Sequence, residues 1–213
     1  MFRSPLRDVI MQSPSGQYGK KQYIWRKGDR CSGLWLIKSG AIKTFYINTR
    51  GDEHITGFYL PGEYVGVDEL SGERHRGYAQ VIDDCMMHHL PLTQLSEVMN
   101  TCDERRHVYR LMSEHLRLHK ARFHQLSRAS AGERLAYFIY DIASRYGLQG
   151  KVLKDFRLPM LRCDIANYIG VTPETVTREI LKLVDSGAFR FSDRRISGLQ
   201  PSVLVQRMGG YER

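Results

Sequence analysis

Glu174, Thr177 and Arg178 stand three and four residues apart, which places their side chains on one face of a helix. Arginine donates two parallel hydrogen bonds to guanine, and glutamate accepts from the amino group of cytosine. Such groups at the start of a helix have the chemistry to read base edges in the major groove. The local sequence predicts that helix. Thr172 can cap its open N–H groups, and Pro173 occupies the first helical position, where a missing N–H costs nothing. Val176, Ile180, Leu183 and Val184 fall on the opposite face and predict packing inward. Upstream, Arg162–Ile169 forms a second short helix that ends at Gly170, so residues 162–186 predict a helix-turn-helix. Leu181 lies close to the outward face, and nothing in the sequence accounts for it.

The segment Phe189–Leu199 predicts a strand, a turn at Ser192-Asp193 and a second strand, with Arg194 and Arg195 at the tip. A basic hairpin directly after a recognition helix is the wing of a winged helix. Its arginines are placed to hold backbone phosphate, with Thr172, Thr175 and Lys182 as accessory backbone contacts.

Charge distribution agrees. The 213 residues carry a formal net charge of +9. Segments 1–90, 91–126 and 127–213 contribute +2, +2 and +5, so the excess is largest around the helix-turn-helix. A hydrophobic content of 42% is enough for a buried core. No run of about 18 apolar residues predicts a membrane span. The opening residues are too polar for a secretory leader, which predicts a cytoplasmic chain with reduced cysteines. Cys31, Cys85, Cys102 and Cys163 are scattered, with no CxxC pair for a zinc finger or redox dithiol. The chain also lacks a Gly-rich phosphate loop, Gly-x-Ser-x-Gly and His-Glu-x-x-His, and the adjacent carboxylates Asp52-Glu53 and Asp68-Glu69 point to opposite faces of a strand. The sequence therefore predicts no enzyme.

The organisation predicted is α+β. From residue 17 to 89 the chain is strand-like and punctuated by glycines from Gly28 to Gly77, as in a small all-β barrel or sandwich. Leu34–Ile37 and Ile42–Ile47 are its clearest strands, joined at Ser39-Gly40. Thr93–Leu126 contains neither Gly nor Pro and repeats apolar residues every three or four positions, with a break at Asn100–Asp103. That is a short helix followed by a long one, whose apolar stripe needs a partner; a second copy is the simplest. The boundaries read are 1–91 for a β-barrel sensor-like domain, 92–126 for a dimerisation helix and 127–213 for a winged-helix domain.

A β-rich domain, a long helix and a winged helix in this order resemble the Crp/Fnr family of bacterial transcription regulators, closest to its Fnr branch. The stretches that carry the resemblance are Ile37–Lys43, Gly51–Phe58, Leu60–Glu63, Glu133–Tyr140, Phe156–Met160 and Asp164–Gly170. In that branch the recognition helix reads Glu-x-x-Ser-Arg; here it is Glu174-Thr175-Val176-Thr177-Arg178, with a threonine whose added methyl can touch that of thymine. The resemblance implies a cyclic-nucleotide-binding-like jelly roll, a homodimer on DNA at a TTGAT-N4-ATCAA-like palindrome, and RNA polymerase as a partner.

The sensing end departs from the relatives. The Fnr cluster needs an N-terminal cysteine group, and no cysteine precedes Cys31; the later cluster position is matched by His88. An iron–sulfur cluster is disfavoured. Cyclic-nucleotide relatives hold the ligand with a glutamate and an arginine, and Gly66-Val67-Asp68 and Gly77-Tyr78-Ala79 stand at those places, so cyclic AMP is disfavoured as well. The effector stays open. One alternative is none, with control by abundance or by oxidation of a thiol such as Cys163. The other is haem, with His88, His115 and His119 as ligand candidates. The function predicted is a sequence-specific DNA-binding regulator; a cyclic-nucleotide-fold adaptor acting through protein contacts is the alternative.

Overall fold

The computed structural model describes residues 5–147 and 152–209. Helix α1 (Pro5–Gln12) leads into β1 (Ser15–Tyr18), β2 (Tyr23–Trp25), β3 (Gly33–Ile47), β4 (Glu53–Tyr59), β5 (Tyr64–Val65) and β6 (Tyr78–Pro91). Then follow α2 (Leu92–Val98), α3 (Cys102–Arg128), α4 (Ala131–Tyr146), β7 (Phe156–Arg157), α5 (Arg162–Ile169), α6 (Pro173–Asp185), β8 (Arg190–Ser192), β9 (Arg195–Ser197) and α7 (Pro201–Arg207). Two compact units divide between Lys120 and Ala121, inside α3.

In the first unit an antiparallel sheet runs β1-β6-β3-β4, with β2 also on β6 and β5 also on β3. The two long strands β3 and β6 are its axis, paired from Gly33↔Pro91 to Phe45↔Tyr78. One core gathers Trp25, Ile37, Ile42, Val65, Val81 and Met87. A second seats α1 through Leu6 and Ile10 against Leu34, Leu36, Leu90, Leu95 and Val108.

The sequence reads two strands joined at Ser39-Gly40, whereas the structure has a single fifteen-residue strand, β3, crossing that point. The register against β6 shifts on both sides of Ser39. Gly40 makes this possible. Its φ is +85°, and a Cβ there would lie 2.2 Å from the Asp84 carbonyl oxygen. The glycine therefore bends a continuous strand around a close backbone neighbour instead of reversing the chain.

The short helix and the long one expected here are both present, but the break between α2 and α3 is Met99–Thr101, and Cys102 and Asp103, read as part of the break, already belong to α3. Helix α4 starts with a capping box: Glu133 N–H donates to Ser130 Oγ at 3.3 Å, and Ser130 N–H donates to Glu133 Oε2 at 2.6 Å.

Gly40→Ala meets both a left-handed backbone and a backbone clash. It is expected to lower stability in urea by at least the roughly 1–2 kcal/mol that the left-handed conformation alone costs an L-residue.

Candidate nucleic-acid interface

Helix α5 begins where Asp164 Oδ2 accepts the Leu161 N–H at 3.2 Å, and it ends at Gly170 with φ 69° and ψ 47°. That left-handed turn leaves the last carbonyls of α5 pointing away from any helical partner. Two arginines take them. Arg134, on α4, donates through Nη1 to Ile169 O at 2.8 Å and to Gly170 O at 3.3 Å, and through Nε to Ala129 O at 3.0 Å. Arg122, on α3, donates through Nη2 to Tyr168 O at 2.9 Å and lies 3.8 Å over the Tyr168 ring. Two cations at a helix C-terminus also sit at the negative end of its dipole.

Helix α6 then starts as its sequence predicts. Thr175 N–H donates to Thr172 Oγ1 at 3.3 Å, with Pro173 at the first position. Val176, Ile180 and Leu183 are buried. Glu174, Arg178 and Leu181 are exposed, Leu181 at 58%, and Thr177 is half-buried. These four follow one another along a single row at helical spacing, so the leucine without a role belongs to the outward face. The Thr177 hydroxyl donates to Pro173 O at 3.0 Å, which leaves its oxygen free to accept. Arg178 is held loosely, with Nη2 3.5 Å from Thr175 Oγ1 and Nε 3.5 Å from Glu179 Oε1. Its own backbone N–H, and then the Thr172 hydroxyl, hold the Glu174 carboxyl below the usual range, so it stays an acceptor. Lys182 is exposed, with Nζ 2.8 Å from Glu179 Oε1.

Strands β8 and β9 form a hairpin, and β7 pairs on the far side of β9. Its two-residue turn is Asp193-Arg194, one position later than the sequence suggests, with φ 47° and 63°. Positive φ at both central residues matches the twist of the flanking strands. Arg194 is tied back, Nη1 to Pro159 O at 3.2 Å and its carbonyl to Leu158 N–H at 2.8 Å, while Arg195 is exposed.

In the first unit, the places where cyclic-nucleotide relatives bind ribose and phosphate are occupied by the chain's own contacts. Gly66 precedes a 3-10 turn, Val67–Glu69. The Glu69 carboxylate contacts His75 Nδ1 and accepts the Arg76 N–H at 3.1 Å. His75 is 2% exposed and stacks on Trp25 with centroids 4.3 Å apart. Arg76 lies in a bend before β6, not on the strand, and Tyr78 stacks on Phe45 at 5.1 Å. A cyclic phosphate would meet the Asp68 and Glu69 carboxylates here with no arginine at residues 77–79, so these residues do not fit that ligand.

Of the histidine candidates, His88 is buried in β6, and its Nδ1–H donates to Ser13 O at 2.9 Å. His115 and His119 face each other on α3, with Nε2 atoms 2.7 Å apart. Cys163 is exposed at the second residue of α5, Cys102 is exposed, and Cys31 and Cys85 are buried. Among the described residues, no three histidine, cysteine or carboxylate side chains converge to hold a metal. No described helix is long and apolar enough to cross a membrane.

Residues 133–207 match the Crp-like helix-turn-helix domain, and residues 16–102 match the cyclic nucleotide-binding domain. Electron transport regulator A of Shewanella oneidensis is 36% identical over 192 residues, covering 90% of this chain and 76% of that protein. This chain is a Crp/Fnr-family transcription regulator. The fumarate and nitrate reduction regulatory protein of Escherichia coli K12 is 35% identical over 191 residues, 89% of this chain and 76% of the relative. The structure of FixK2 from Bradyrhizobium japonicum superposes with a TM-score of 0.83 at 26% identity, covering 92% of this chain and 96% of that one. As a Crp/Fnr-family protein the chain is a DNA-binding regulator and not an enzyme.

Arg134→Ala strips the partner from Ile169 O and Gly170 O, and a loss of about 1–3 kcal/mol is expected in thermal or urea unfolding. Arg134→Lys is expected to recover only part, because a single ammonium cannot reproduce the separate Nε bond to Ala129 O while it serves the carbonyls of Ile169 and Gly170. Acid sensitivity is expected at Glu69. Burial pushes its carboxyl up, but hydrogen bonds from His75, the Arg76 N–H and the Gly77 N–H outweigh this and hold it below the ordinary value. A lowered folded-state pKa gives stability that is present above the unfolded value, about 4.3, and lost as pH falls through the folded one. Glu69→Gln should flatten that part of the stability–pH curve, measured by urea titration from neutral to acid pH.

Proposed function

We propose that the chain acts as a homodimer that reads a TTGAT-N4-ATCAA-like palindrome, one half-site per α6. The observation that carries this reading is the α6 face: Glu174, Thr177, Arg178 and Leu181 form one outward row on a helix whose other face is buried and whose start is capped. In this reading Arg178 donates to guanine, Glu174 accepts from a cytosine amino group, and Thr177 offers an acceptor and a methyl. Arg195 holds phosphate from the wing, and Arg194 shapes the turn and contributes its remaining donors. Thr172, Thr175 and Lys182 flank the row as backbone contacts.

The dimer is supported by the outer side of α3. Val108 and Leu111 pack on the chain's own core. Tyr109, Met112, Leu116, Phe123 and Leu126 lie exposed, with Tyr109, Leu116 and Phe123 at 60%, 57% and 75%. Their spacing alternates three and four, apart from one position, as in the seam of a two-stranded coiled coil. Two α6 helices related by a twofold axis require half-sites about one helical turn apart, which a palindrome supplies. Promoter DNA in the cytoplasm, beside RNA polymerase, is the setting this reading implies.

Two variants test it by fluorescence anisotropy on palindrome and scrambled duplexes across a salt series. Arg178→Ala is expected to cost about 1–3 kcal/mol on the palindrome and to flatten the preference at one base position. Arg195→Ala is expected to weaken both duplexes alike and to reduce the salt slope by about 1. An Arg178→Ala protein with unchanged sequence preference would refute the base-reading assignment.

A further inference from the structure

The three-four alternation along the exposed side of α3 passes through Tyr109, Met112, Leu116, His119, Phe123 and Leu126. His119 is the one imidazole in an otherwise apolar series. It occupies the same kind of position as Met112 and Leu126, where equivalent side chains of two parallel helices face each other across the axis. His115 precedes it by one helical turn, beside the Tyr59 ring at 6.2 Å between centroids. The two imidazoles converge, with Nε2 atoms 2.7 Å apart and ring centroids 4.5 Å apart. Histidines at i and i+4 on one helix face are a zinc-chelating arrangement.

We propose that His115 and His119 of both subunits form a metal site on the twofold axis of the dimer, taking one zinc ion or a similar borderline divalent ion. The site rests on the helix-paired dimer proposed above and is incomplete without it. Among the described residues a single chain brings no third histidine, cysteine or carboxylate to the pair, so one chain offers a two-point clamp. A structural zinc site is closed by four nitrogen or sulfur ligands in a tetrahedron. A second copy of the same pair, turned by the twofold axis, supplies the other two. Nitrogens about 2.0–2.1 Å from a tetrahedral zinc ion stand roughly 3.3 Å apart, so small side-chain rotations open the pair to the required bite. Without metal, one Nε2 donates to the other. With metal, both Nε2 atoms present lone pairs, and the imidazole that had donated carries its proton on Nδ1 instead, so both rings bind as neutral ligands. An ion bound only by the paired state also favours pairing by mass action.

The test uses full-length protein stripped with chelator, zinc(II) and cobalt(II) as probes, and sedimentation velocity on the same samples. The expected result is one ion per two chains, a tetrahedral cobalt(II) visible spectrum, and loss of both in His115→Gln and in His119→Leu. His119→Leu completes the apolar seam at an exposed position, so it is expected to remain folded and dimeric. A wild-type dimer that takes up no zinc would overturn the metal site and leave the dimer standing. One ion per chain, or uptake that survives in His119→Leu, would overturn the shared site. A wild-type protein that sediments as a monomer with and without zinc would contradict the dimer itself, and the site with it.

Discussion

The carbonyl oxygens at the end of α5 are the point on which the turn of the helix-turn-helix, and with it the proposed DNA-reading surface, depends. The left-handed stop lets the N–H groups of Gly170 and Val171 serve Ala166 O and Asn167 O, and it leaves the oxygens of Tyr168, Ile169 and Gly170 to find other donors. Arg122 and Arg134 resolve this from two different helices, taking the oxygens of Tyr168, Ile169 and Gly170 among them. Arg134 spans two of those oxygens with one nitrogen and anchors its Nε on Ala129. A planar, permanently charged group thereby ties α4 to the end of α5, next to the turn that leads into α6.

With that turn fixed, α6 divides its surface between two tasks. The buried residues Val176, Ile180 and Leu183 hold the helix in place, and Glu179, also buried, draws Lys182 and Arg178 toward it. The opposite row keeps Arg178 only loosely engaged, at 3.5 Å from each of its partners. In the proposed base-reading role a side chain so held would give up little, whereas a tightly paired one would have to break a strong contact first. The wing shows the complementary case. Arg194 is committed to Pro159 O and to the shape of the turn, which leaves Arg195 as the exposed cation beside it.

The parts legible in the sequence were those specified by neighbours in the chain. Thr172, Pro173 and Gly170 mark helix ends through their own chemistry. What was hidden depends on distant partners. Nothing around Arg134 or Arg122 indicates carbonyls thirty-five to forty-six residues away. The Glu69–His75 contact needs a bend at Arg76 where the sequence suggests strand. Gly40 looks like the end of a strand because a bulge and a turn use the same residue type. The apolar stripe expected on α3 is in fact two: Val108 and Leu111 face the core while Tyr109, Met112 and Leu116 face outward, and periodicity alone does not separate them.

The central claim is that the row presented by α6 confers sequence-selective DNA binding on a dimer. Its most direct test is the affinity of the full-length protein for a TTGAT-N4-ATCAA duplex and for a scrambled duplex of equal length at one salt concentration. The account predicts a preference of about a thousandfold or more for the palindrome. Equal affinities for the two duplexes would contradict it.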